Sequence, residues 1–102
     1  MYSTHYLNDR QAREHLIAKK IGYGKPVARF RVDRGHPNGA EIHEISDTGI
    51  ITVYNERTGK LVTKLIARPQ QIRRYYQERG LIAPQDIVEL AYQHSIKNYN
   101  NI

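Results

Sequence analysis

The chain of 102 residues contains no cysteine, which excludes a disulfide framework, a thiol nucleophile, a zinc finger and an iron–sulfur site. It has no apolar run approaching the roughly 20 residues of a membrane span, and its start, MYSTHYLNDRQ, lacks the apolar stretch of a signal peptide. A cytoplasmic protein with no membrane contact is therefore expected. A Gly-rich phosphate loop is missing too, because GYGK at residues 22–25 has neither the Walker nor the dinucleotide-binding spacing. No serine-hydrolase elbow occurs. Without cysteine a metal would need His and carboxylate, and the only local cluster is Glu41, His43 and Glu44. On a strand Glu41 and His43 share one face and Glu44 takes the other. Two ligands do not make a site, so no metal and no other cofactor is expected.

Acid is the next scarcity, and it is local. Residues 57–79 hold Arg57, Lys60, Lys64, Arg68, Arg73, Arg74 and Arg79 against Glu78 alone, which accounts for the whole net charge of +6. The remaining residues carry nine bases and nine acids. With a sequence pI near 9.7, above the threshold of about 9 that marks nucleic-acid binders, one basic block on a neutral body points to a localised anionic partner. A mass of 11.9 kDa fits a single domain over residues 1–102, since domains typically run to roughly 100–150 residues.

The pattern along the chain predicts α, four β, α, α. Residues 1–8 read as a polar arm. Asn8 is a suitable N-cap for DRQAREHLIAKKI, and Gly22 is a stop signal. VARFRVDR (27–34) alternates, with Ala28, Phe30 and Val32 on one side and Arg29 and Arg31 on the other. AEIHEIS, GIITVYN and KLVTKLIA read as three more strands, separated by SDTG and NERTG, whose Asn, Asp and Gly suit tight turns. Connections this short imply an antiparallel meander. Pro69 opens a helix that runs to Gly80, in which Ile72, Tyr75 and Tyr76 form an apolar stripe with Arg73 and Arg74 off it. Pro84 opens the last helix, with Ile87, Val88, Ala91, Tyr92 and Ile96 at helical spacing, and residues 98–102 end the chain as a short polar tail. The expectation is an α+β fold: an N-terminal helix, a four-stranded antiparallel sheet and two C-terminal helices, all packed on one sheet face with the other face free.

On that free face the sequence offers a set suited to phosphodiester chemistry without metal. RNA carries its own nucleophile, the 2′-OH, so cleavage needs a base for that proton, an acid for the leaving 5′-oxygen and cations for the phosphorane. Glu41 and His43 on one strand, with Thr52 and Tyr54 on the next, would supply base, acid and hydroxyl. His36, in the turn GHPNG, reads equally well as a loop residue, and His15 and His94 as packed or solvated helix residues. Leu61, Thr63, Leu65 and Ala67 are the more apolar side of the last strand and should meet the helices. Lys64 and Arg68 are then left outside, and Arg29 and Arg31 join them if Phe30 points inward. Together with Arg73 and Arg74 they would bind single-stranded RNA.

The stretch EIHEISDTGIITVYNERTGKLVTKLIARPQQIRRYY, a polar strand, a hairpin closed by NERTG and LIARP leading into a basic helix, resembles the barnase/RelE-like ribonuclease toxin superfamily. The resemblance covers residues 9–79. It implies metal-independent RNA cleavage from the sheet face, with tRNA or mRNA as target. By the same resemblance His43, Glu41, Tyr54, Lys64 and Arg68 are the nearest matches in kind to a site, and the partner is an acidic antitoxin or immunity protein. A non-enzymatic module that binds nucleic acid or a partner protein, such as an accessory protein of a mobile element, would use the same basic face. So would an adaptor docked on an acidic surface.

Overall fold

The computed structural model describes residues 9–22 and 24–98. The elements are α1 (Asp9–Ile21), β1 (Pro26–Val32), β2 (Glu41–Ser46), β3 (Ile50–Asn55), β4 (Leu61–Ile66), α2 (Pro69–Gln77) and α3 (Gln85–Asn98). The N-cap Asn8, the arm 1–8 and residues 99–102 of the tail lie outside the described residues. The fold is α+β, with one antiparallel sheet in the order β1-β2-β3-β4, as the sequence pattern indicates.

The turns explain the meander. After β2 the Ser46 hydroxyl oxygen accepts the N–H groups of Thr48 at 3.2 Å and Ile50 at 3.1 Å, and Gly49 adopts φ +82°. Glycine takes that left-handed conformation without strain, and a Cβ there would lie 3.2 Å from His94 Cδ2. After β3, Asn55 accepts the Thr58 N–H through its side chain at 3.0 Å and the Gly59 N–H through its carbonyl at 2.8 Å. β1 stops at Val32, short of the 27–34 run, because the Asp33 carboxylate accepts the Gly35 N–H at 3.0 Å. That Asx turn takes Asp33 and Arg34 out of the ladder.

Register assigns the faces. Phe30, His43, Val53 and Thr63 form one row across the four strands, and Arg29, Glu44, Thr52 and Lys64 form the next. Successive strand residues point to opposite sides, so the two rows mark the two faces. On the first, Phe30, Ile45, Ile51 and Val53 pack against Ile72 of α2 and Ile87, Val88 and Ala91 of α3. Each of these side chains larger than alanine contributes about 1.5–3 kcal/mol on burial, so this layer is the main driving force. The α2 stripe behaves as its spacing predicts: the Tyr75 ring stacks on Phe30 with centroids 5.4 Å apart, and Tyr76 meets it edge-on at 5.0 Å. α2 ends at Gln77, and the Leu81 N–H wraps around Gly80 to the Tyr76 carbonyl at 2.9 Å, a Schellman closure. Along α3, Tyr92 and Ile96 are 49% and 50% exposed. The inner stripe runs instead through Leu90, Ala91 and His94, which flank Gly49.

α1 departs from the expectation that all helices share one face. Its Ala18 is buried with Ile50 and Ile66, flanked by Ile17 and Ile21, and Ile50 points away from the side taken by Ile51. The reason lies in the sheet edge. β4 ends the sheet, and an edge strand exposes unpaired N–H groups. The buried Glu14 of α1 accepts the Ile66 N–H at 2.9 Å. Ile50 and Ile66 need cover that α2 and α3, on the other side, do not give. At the opposite edge Arg79 donates to the Arg31 carbonyl at 2.5 Å while its guanidinium lies 4.7 Å from the Phe30 ring centroid. This cation of the basic block therefore closes an edge.

Candidate active site

The helix-covered face becomes polar toward one end. There Glu41 pairs with Val32 and Asn55 across the sheet, beside the loop that follows β1. Glu41 and His43 share this face, as their spacing predicts, and Glu41 Oε1 lies 3.0 Å from His43 Nε2. His43 is only 6% exposed, and its Nδ1 lies 2.5 Å from the Tyr75 hydroxyl. A carboxylate only accepts, so the ring proton sits on Nε2 and Nδ1 accepts from Tyr75. Burial pushes the Tyr75 hydroxyl up to about 12, which keeps it protonated as that donor. Arg34 and Arg74 work against the shift, and Glu41 and Glu78 with it. The outcome is a directed chain, Tyr75 to His43 to Glu41, that ends on a carboxylate whose side chain is 31% exposed. The Arg34 guanidinium faces that carboxylate at 4.0 Å.

Two hollows flank Arg34. The first, of about 200 Å³, is lined by Glu41, Arg34, His36, Asn38 and Asn55 among others. Its loop wall is fixed from several sides. His36 Nδ1 accepts the Asn38 N–H at 3.1 Å, the Asn55 amide donates to the Asn38 carbonyl at 2.9 Å, and the Glu56 N–H donates to Ala40 at 3.0 Å. With Nδ1 occupied as an acceptor, neutral His36 carries its proton on Nε2. The second hollow, of about 90 Å³, lies between β1 and α2 and is lined by Val32, Arg34, Gln71, Arg74, Tyr75 and Glu78.

The other sequence-derived candidates lie elsewhere. Tyr54 is opposite Ile42 in the register and Thr52 opposite Glu44, so both point away from His43. The set His43, Glu41 and Tyr54 is split by the sheet: two members stand together and the third is on the far side. There Tyr54, Thr52, Glu44 and Lys64 line a separate hollow of about 250 Å³, in which Lys64 donates to the Thr52 hydroxyl at 2.9 Å. Burial holds the Lys64 ammonium below its ordinary range, partly offset by Glu44. The buried His15 of α1 is likewise lowered, first by burial and then by Lys64 and Lys19, which places α1 across part of the face expected to be free. Arg29 pairs with Glu44 at 2.9 Å and Arg31 with Glu56 at 2.7 Å, so acids offset much of that face's positive charge. Arg68 is exposed at the start of α2, its N–H held by Gln71 at 2.9 Å. Arg73 lines a fourth hollow with Leu81 and Ile82, while Arg74 reaches the second one.

Sequence reasoning missed Tyr75 and Arg34 as site residues. Tyr75 carried a usable signal, because a tyrosine on a core stripe still needs a partner for its hydroxyl. Arg34 carried none, since its position depends on the Asx turn at Asp33. Among the described residues no three His, Asp or Glu side chains come together as a metal-holding group, and no helix is long and apolar enough to cross a membrane. In comparison with known proteins, no family model matches the chain, and no curated protein or solved structure does.

Proposed function

We propose that this protein is a metal-independent endoribonuclease whose centre is Glu41, on the helix-covered side of the sheet. What carries the reading is the chain from Tyr75 through His43 to Glu41, ending on a half-exposed carboxylate that faces Arg34 in a hollow. The buried members of the chain are paired, and its last member is an oriented carboxylate that reaches the surface. Glu41 takes the 2′-OH proton, with Nε2–H of His43 fixing the carboxylate's direction. Arg34 faces the charge that develops on the phosphorane. His36, exposed across the same hollow, donates a hydrogen bond from its Nε2–H to the leaving 5′-oxygen, which takes its proton from water. His43 is here a positioning residue, since its burial keeps it from the substrate.

The partner in this reading is RNA, tRNA or mRNA, approached in the cytoplasm. Arg34 and Arg74 at the hollows, with Arg68 at the start of α2, supply its phosphates with cations. An acidic antitoxin or immunity protein would compete for the same groups. The test is incubation of RNA with the protein in EDTA, with Glu41→Gln as control. Cleavage that leaves 2′,3′-cyclic phosphate and is lost in Glu41→Gln supports the proposal. RNA that stays intact but shifts on a gel would replace it with a non-enzymatic binding module.

A further inference from the structure

Lys64 is the one lysine of six that the fold draws partly inside; Lys19, Lys20, Lys25, Lys60 and Lys97 are exposed. It stands on the face away from the Tyr75–His43–Glu41 chain, in the hollow of about 250 Å³ that it shares with Pro26, Glu44, Thr52 and Tyr54. Its Nζ donates to the Thr52 hydroxyl at 2.9 Å, and Thr52 is itself buried. An exposed lysine sweeps its ammonium through water, whereas this one keeps its nitrogen at the wall of a cavity with room for a small molecule. The groups around it come from four elements. Glu44 of β2 favours the charged form, and Arg29 of β1 pairs with that carboxylate at 2.9 Å. Tyr54 of β3 lines the same hollow, and His15 of α1 feels the charge of both Lys64 and Lys19. Burial outweighs Glu44 and holds the Lys64 ammonium below its ordinary range. The neutral amine is the nucleophile, and burial enlarges its share at neutral pH.

We propose that Lys64 is an acyl-accepting lysine, a modification site for small acyl phosphates that enter this hollow. The amine nitrogen attacks the carbonyl carbon, and the N–C bond forms as the C–O bond to phosphate breaks. The electron pair of that bond leaves with inorganic phosphate, and the proton on nitrogen passes to water. Arg29 is mostly exposed beside Glu44 and carries guanidinium N–H groups beyond the Nε–H it gives that carboxylate, which it offers to the departing phosphate. Acylation removes the cation from this face and leaves an amide N–H that still donates to Thr52. None of these residues belongs to the Glu41 hollow, so the inference does not depend on the ribonuclease reading.

The test exposes the full chain to acetyl phosphate over a range of about pH 6 to pH 10, spanning neutrality and the ordinary lysine value, and follows the acylation rate of each lysine by peptide mass. At neutral pH Lys64 is expected to react about threefold faster than Lys19, Lys25 or Lys60, with its rate levelling off at a lower pH than theirs. Glu44→Gln removes the acid that favours the ammonium, so it should move the Lys64 profile to still lower pH and leave the exposed lysines unchanged. The native protein alone decides the main point, so the test does not depend on the variant's folding. Acylation of Lys64 no faster than that of the exposed lysines, or with the same pH profile as theirs, overturns the proposal. A Lys64 profile that Glu44→Gln leaves in place, in a folded variant, overturns it as well.

Discussion

Replacing Tyr75 by Phe removes one hydroxyl and keeps the ring that stacks on Phe30. The lost group is the donor to Nδ1 of His43, which is 6% exposed, so the substitution leaves a buried ring nitrogen without its partner. An unsatisfied buried acceptor costs about 1–3 kcal/mol. In a domain of this size each kcal/mol lowers Tm by roughly 4–8 °C, so a fall on the order of 5–20 °C is expected. Thermal unfolding measures that fall and urea unfolding at neutral pH the free-energy loss, and the slope against urea should not change, because the folded core is the same. Tyr76→Phe is the control, expected within about 0.5 kcal/mol of the native protein, since Tyr76 meets Phe30 through its ring. RNA turnover should fall with Tyr75→Phe and hold with Tyr76→Phe, because only the former loosens Glu41. A stability change below about 0.5 kcal/mol together with unchanged turnover refutes the Tyr75–His43–Glu41 chain.

Alkaline titration gives a second check. The Tyr75 hydroxyl is raised to about 12, so its contribution is present in full below the ordinary tyrosine value near 10 and is lost as pH rises toward 12. After allowance for partial exposure, about 1–2 kcal/mol should disappear over that window, and Tyr75→Phe should lack this component. Lys64, held below its ordinary range by burial, acts in the opposite sense, with stability gained as pH rises from below toward the usual lysine value and no further change above it, so the comparison with Tyr75→Phe isolates the tyrosine. Glu14→Ala strips the Ile66 N–H of its acceptor and should cost about 1–3 kcal/mol by urea unfolding, with Glu14→Gln milder because its amide oxygen still accepts. Tyr54→Phe alters a side chain on the far face and should leave RNA turnover within roughly twofold; a loss of tenfold or more would return the centre to that face.

Turn chemistry and alternation made the meander readable: Gly49 and Gly59 fall where the chain needs positive φ, and the stripe of Ile72, Tyr75 and Tyr76 docks as spaced. The faces were harder. In EIHEIS each side of the strand carries one isoleucine, Ile42 or Ile45, so the pattern alone does not say whether His43 looks toward the helices or away. Phe30, directly opposite His43, decides it through burial. β4 reads correctly over residues 63–67, with Leu65 and Ala67 at the helix-facing core and Lys64 on the other side, and departs from alternation only at its start. Between Val53 and Tyr54 the register shifts, so that Leu61 rather than Val62 opposes Tyr54. A bulge of that kind breaks strict alternation. The basic block was real as a count of charges. Its surface pattern depends on tertiary partners no local window contains: Arg79 at the Phe30 edge, Glu44 against Arg29 and Glu56 against Arg31.

In the proposed reaction Glu41, oriented by His43 and flanked by Arg34, is the base that starts RNA cleavage. The direct measurement is RNA incubated with native protein and with Glu41→Gln in EDTA, each first shown to be folded by urea unfolding, with the new RNA ends identified chemically. The native protein should leave 2′,3′-cyclic phosphate ends and Glu41→Gln none. Equal cleavage by the two, or intact RNA with the folded native protein, would contradict it.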